Sequence, residues 1–248
     1  TGVNFESTPD GREGWLNMFV RKGWDVYNSD AVERGRSGFA PPEVFKGEPV
    51  FTPVNAAWET YRIGPPGSFN VDPAKRYTYP GSQFPVEAYE NSLRETVPRW
   101  VTTDAVAMKA YLAEIDRVCP CVLLVHSQAG AFGYRAAMMR PDKVKGLVVI
   151  EGSIRGDQAA ATTVKNIPIV VFYGDNIDKS EMFSKQRESN IKAAALAKSV
   201  GGSLEIVNLP DLGIKGNSHF MMREKNNGAI AVVIEKWLED KNLVEKTP

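Results

Sequence analysis

The 248-residue chain carries no net charge, no long apolar run and no internal repeat, and it has only two cysteines and two histidines. Basic and acidic residues balance at 30 each, so no overall field would draw nucleic acid or an anionic membrane. The basic residues are also scattered rather than gathered into a phosphate-tracking stripe. Its longest apolar stretches, such as Ile167 to Tyr173, have strand length and fall far short of the roughly 18 residues that span a bilayer. The chain therefore reads as soluble, with neither nucleic acid nor membrane as partner. Cys119 and Cys121 stand one residue apart. Read as part of one extended strand, at that spacing no unstrained disulfide is expected between them. With so few histidines a structural zinc site is not expected either. No signal peptide is visible, and the start at Thr1 without Met leaves room for an upstream segment.

What is present is apolar residues, 43% of the chain, enough for the core of one α/β domain over 1–248. From Val101 onward helix and strand patterns alternate. Thr102, Thr103 and Asp104 offer N-cap oxygens to a helix with Val106, Ala110, Ile115 and Val118 at helical spacing, stopped by Pro120. Cys121 to Val125, Val144 to Ile150, Ile167 to Tyr173 and Leu204 to Leu209 read as buried parallel strands. Between and after them, 128–140, 191–200 and 229–238 read as helices. This rhythm predicts a mostly parallel sheet with helices on both faces. Nearer the start, Trp15 to Arg21 reads as a helix, Trp24 to Ser29 as a strand and Arg34 to Gly38 as a turn.

Residues 40–100 break the rhythm with prolines (Pro41, Pro42, Pro49, Pro53, Pro65, Pro66, Pro73, Pro80, Pro85, Pro98). Aromatics stand between them, among them Phe51, Trp58, Tyr61, Phe84, Tyr89 and Trp100. Disordered segments are poor in aromatics, so an ordered cap inserted in the domain is expected.

The chemistry gathers at Val125-His126-Ser127-Gln128-Ala129-Gly130, between a strand and a helix. A nucleophile elbow needs this context, a sharp turn that lifts a serine above the sheet. A serine there could also simply cap the helix. The Gln128 amide, at the helix N-terminus, is placed to donate to an oxyanion. Val125 occupies a position that is usually small. A serine hydroxyl needs a base. His126 adjoins Ser127 and its ring would point away, which leaves His219, in the loop after the last strand, where the sheet's carboxyl edge collects such groups. Two carboxylates compete to orient the imidazole: Glu151, after the second strand, and Asp175, after the third. The residues alone favour Asp175 slightly, and either could instead cap a loop.

At these positions the chain resembles bacterial esterases of the Alcaligenes esterase 713 type, a branch of the α/β-hydrolase superfamily. The matching segments are STPDGREGW, FVRKGWDVY, RGRSG, QFPVEAYENSLRETVPRW, HSQAG, IPIVVFYGD and KGNSHFMM. GNSH with its following Met pair, and QFPV, are specific to this branch; the elbow is not. The resemblance implies an α/β-hydrolase fold and a catalytic triad of Ser127, His219 and Glu151, with Asp175 in reserve. It also implies an exported, soluble homodimer that uses neither metal nor organic cofactor. The branch carries three further strands and an HG-containing oxyanion turn before the residues matching Thr1. Their absence from this chain predicts that they exist as an upstream segment or a separate chain.

The expected reaction is cleavage of a small-molecule carboxylic ester through an acyl-enzyme. Rivals on the same scaffold are a lactonase, an amidase or peptidase, a lyase, or a non-catalytic ligand-binding homologue. An amino-terminal nucleophile at Thr1 would leave the elbow unexplained.

Overall fold

A computed structural model describes residues 1–41 and 43–244; Pro42 and residues 245–248 lie outside the described residues. The chain divides into two compact units, Thr1–Ala110 with Lys215–Val232, and Tyr111–Ile214 with the chain from Val233 onward.

In the first unit short helices, α1 (Val3–Glu6), α2 (Trp15–Arg21), α3 (Val54–Thr60) and α4 (Tyr89–Arg94), are joined by long connections, and α5 (Asp104–Val118) begins. Aromatic packing orders the segments around α3 and α4. Trp58, Ile63, Phe84 and Tyr89 form a buried cluster with Phe69 and Phe220 against it. Trp58 meets Tyr89 edge-on at 4.9 Å and donates its indole N–H to Ser68 Oγ at 2.8 Å. The Tyr89 hydroxyl donates to the Val54 carbonyl at 2.7 Å. Large rings that also find polar partners can fix chain that has little regular structure.

The strand expected at Trp24 to Ser29 does not form. Among the described residues the unit's β pairing is limited to two isolated bridges, Ser7 with Glu13 and Val50 with Arg99, and Tyr27 is 66% exposed. A lone extended segment has no neighbour for its N–H and C=O groups, so it stays in water instead of being buried. Trp15 to Arg21 is helical as expected, and a single helical turn at Gly35–Ser37 occupies the expected bend.

The second unit follows the sequence pattern closely. Its elements are β1 (Cys121–His126), α6 (Ala129–Met139), β2 (Val144–Ile150), α7 (Gln158–Thr163), β3 (Ile169–Tyr173), α8 (Glu181–Ser199) and β4 (Leu204–Asn208), and α9 (Asn227–Asp240) ends in it. The four strands lie in the order β1-β2-β3-β4, every pair parallel. Period-2 alternation divides the side chains between the two faces. Leu147, Val149, Ile169, Val171 and Tyr173 join Tyr134 and Ala137 of α6, with Ala160 of α7 and Ala193 of α8 packed against them. On the opposite face Trp237 of α9 donates its indole N–H to Glu205 at 3.2 Å. Helices therefore cover both faces, as parallel strands require.

Cys119 and Cys121 are joined in a disulfide, contrary to the expectation from their spacing. That expectation assumed both residues in one strand. Cys119 instead closes the last turn of α5, its N–H donating to the Ile115 carbonyl at 3.0 Å, and Cys121 opens β1. The chain turns at Pro120 between them and brings the two Cα atoms to 4.5 Å, inside the usual range for bridged cysteines.

Leu147 is fully buried at the centre of this sheet, between Leu123 of β1 and Ile169 of β3. Leu147→Ala should destabilise the protein by about 2 to 5 kcal/mol, read as a lowered denaturant midpoint at unchanged slope.

Candidate active site

The register of the sheet brings two of the candidate residues onto neighbouring strand ends. His126, last in β1, pairs with Ile150, last in β2, and the next residues are Ser127 and Glu151. Both have left-handed backbone, φ 57° and 44°, a conformation uncommon outside glycine and held against a cost of order 1 to 3 kcal/mol. Backbone bonds hold them in it. Ser127 N–H donates to the Ile150 carbonyl at 2.9 Å, Gly130 N–H donates to the Ser127 carbonyl at 3.0 Å, and Glu151 N–H donates to the Phe172 carbonyl at 3.0 Å.

Two glycines let the turns after β1 and β2 lie against each other. A Cβ on Gly130 would stand 2.8 Å from Gly152 Cα, and one on Gly152 would stand 2.8 Å from the Ser127 carbonyl oxygen. Neither contact leaves room for a side chain, because the obstructing atoms are backbone. Val125 fits for a related reason: a Cβ on Gly133 would sit 3.1 Å from a Val125 methyl carbon, so the absence of one makes space for the valine. Gln128 follows Ser127 with helical backbone and opens α6.

The two carboxylates differ in setting. Glu151 is fully buried, and its Oε1 accepts the Gly174 N–H at 2.8 Å. Asp175 is half-exposed and precedes Asn176, whose own backbone is left-handed.

His219 lies in the first unit, 1% exposed. Its backbone N–H donates to the Tyr61 carbonyl at 3.1 Å, and its ring stacks on the Tyr61 ring at 5.1 Å. The preceding loop is organised by Glu224, a fully buried carboxylate that accepts the Ser218 N–H at 2.7 Å and the Asn217 amide at 2.6 Å. Asn217 and Asn226 exchange side-chain hydrogen bonds at 2.7 and 3.0 Å. Gly216, at φ 87°, passes so near Gly81 that a Cβ would fall 1.9 Å from the Gly81 carbonyl oxygen. Arg223, nearly fully buried, places its guanidinium over Phe220 at 5.4 Å and pairs with Glu95. Burial holds the Glu95 carboxyl above its ordinary value, against the pull of that cation. Among the described residues no three His, Cys, Asp or Glu side chains gather as metal ligands, and no helix is long and apolar enough to cross a membrane.

Ser127, Gln128, Glu151 and Asp175 thus belong to the second unit and His219 to the first. Glu224 was not visible as a supporting residue in the sequence, since an acid in a polar loop reads as solvated surface. The one signal was its place just after the apolar Met221-Met222 pair, which a buried turn would explain.

A parallel sheet with helices on both faces and sharp strand-to-helix turns at its carboxyl edge fits the α/β-hydrolase fold. The chain matches no protein-family model. It is similar to a fungal protein named "Probable secreted lipase phiG" (Fungal sp. strain ATCC 74256), 27% identical over 96% of this chain and 79% of the relative. It is also similar in structure to a bacterial esterase solved at atomic resolution, with TM-score 0.81 and 26% identity over 97% of this chain and 78% of the other. The chain is thus similar to a lipase and to an esterase, both by name hydrolases of carboxylic esters.

Two outcomes follow from this geometry. Gly152→Ala must push the turn after β2 away from Ser127, and esterase kcat should drop on the order of 100-fold. Glu224→Ala strands the buried Ser218 N–H and Asn217 amide, at about 1 to 3 kcal/mol each. It should lower the melting temperature and the esterase rate together.

Proposed function

We propose that the chain cleaves carboxylic esters in two acyl-transfer steps, with Ser127 as nucleophile, His219 as general base and Glu151 as the acid that orients the imidazole. The observation that carries the reading is the left-handed backbone of Ser127 on the turn between β1 and α6, since strain persists only where the surrounding structure over-determines it. In the first step the Ser127 oxygen bonds to the ester carbonyl carbon while His219 takes the hydroxyl proton. The alcohol then leaves with that proton, and an acyl-enzyme remains. In the second step a water gives a proton to His219 and attacks the acyl carbon, and His219 returns that proton to the Ser127 oxygen as it departs and the carboxylic acid is released. The Gln128 N–H, at the start of α6, is one donor to the oxyanion.

Glu151 is preferred to Asp175 because it is buried, conformationally fixed and already held by the Gly174 N–H. A group that must keep an imidazole in one tautomer needs that rigidity more than it needs solvent. The aromatic segments within 40–100 are proposed as a cap over an apolar acyl or alcohol pocket. We further propose that β1 accepts another strand on its outer edge: all its side chains are only half-buried, while those of β3 are buried throughout. The homodimer rests on the resemblance alone.

A fluorophosphonate should label the protein on Ser127, with no labelling of Ser127→Ala. Turnover compared across p-nitrophenyl esters, lactones and anilides should favour the esters. Labelling that persists in Ser127→Ala would move the nucleophile elsewhere, and preference for lactones or anilides would reassign the reaction.

A further inference from the structure

Asn190 is a fully buried amide in the middle of α8. An asparagine there is a poor helix former, and a buried amide without partners is costly. Its polar atoms are spent on the strand ends that carry Glu151. The amide nitrogen donates to the Gly152 carbonyl at 2.8 Å and to the Tyr173 hydroxyl at 2.8 Å. The amide oxygen accepts the Ile154 N–H at 2.9 Å. A backbone acceptor on one side and a backbone donor on the other leave only one orientation of the amide.

These three bonds bracket the carboxylate. Gly152 directly follows Glu151, and Tyr173 directly precedes Gly174, whose N–H holds the Glu151 Oε1 at 2.8 Å. The helix thereby ties the turn after β2 to the end of β3 across the residue with the strained φ of 44°. We infer that Asn190 is a positioning residue for Glu151, setting the carboxylate that orients the catalytic imidazole. The inference rests on the triad reading above and acts entirely through Glu151.

The test uses the full chain and a p-nitrophenyl ester, with kcat and KM measured across pH for Asn190→Leu, Tyr173→Phe, Glu151→Gln and the double variants. A carboxylate beside an imidazolium raises the pKa of the imidazole. A misplaced carboxylate therefore moves the acid limb of the kcat/KM profile to lower pH. Asn190→Leu should lower kcat on the order of 10- to 100-fold, by misplacement of a catalytic group, with KM little changed and the limb moved to lower pH. Tyr173→Phe, which keeps the ring and removes one arm, should do the same more weakly, and it carries the test if Asn190→Leu does not fold. In the Glu151→Gln background both substitutions should have no further effect on kcat.

A limb that stays in place, or effects that add to those of Glu151→Gln, would overturn the inference and leave Asn190 a packing residue. If Glu151→Gln itself kept full kcat, the triad reading would fall first, and Asn190 would have nothing to position.

Discussion

The structure around the proposed nucleophile depends on the contact between two backbone turns. Gly130 and Gly152 approach so closely that neither tolerates a Cβ, and this contact sets the distance between the turn after β1 and the turn after β2. Parallel strands in register deliver Ser127 and Glu151 to the same level of the sheet; the glycine contact then lets the two turns stay there. Hydrogen bonds to the Ile150 and Phe172 carbonyls and from the Gly174 N–H fix what remains. The side chains proposed to do the chemistry are thus held by main chain.

The first unit solves the same problem differently. His219 has no strand end beneath it, and its loop is held by a buried carboxylate, an exchanged pair of amides and a tyrosine ring. Buried polar groups of this kind stabilise only when every member is satisfied, because the low dielectric that strengthens each bond also raises the cost of losing one. Such a loop has few ways of being nearly right.

How far each part could be read from the sequence follows from this difference. The four strands were legible because each is a short apolar run bounded by turn residues, and burial on both faces leaves no other pattern. The turn at Ser127 was legible because a strand pattern precedes it and a helix pattern follows it. The orienting acid was not: the residues alone favoured Asp175 slightly, the resemblance favoured Glu151, and the burial and backbone geometry that support Glu151 are not revealed by spacing. Asn190 was hidden because α8 begins at Glu181, ahead of the Ala-rich stretch from Ile191 that marked the helix. The Trp24 to Ser29 segment has the composition of a strand but no neighbour among the described residues, and composition cannot supply one.

The bridge between Cys119 and Cys121 has a consequence for how the chain matures. It closes a ring of three residues, so the loop-entropy account gives it only about 1 to 2 kcal/mol. Ring closure this local needs no long-range structure, and the two thiols can meet while the remainder of the polypeptide is still unfolded. The covalent link would then report the oxidant that the nascent protein encountered, and would say little about whether the sheet had assembled around it.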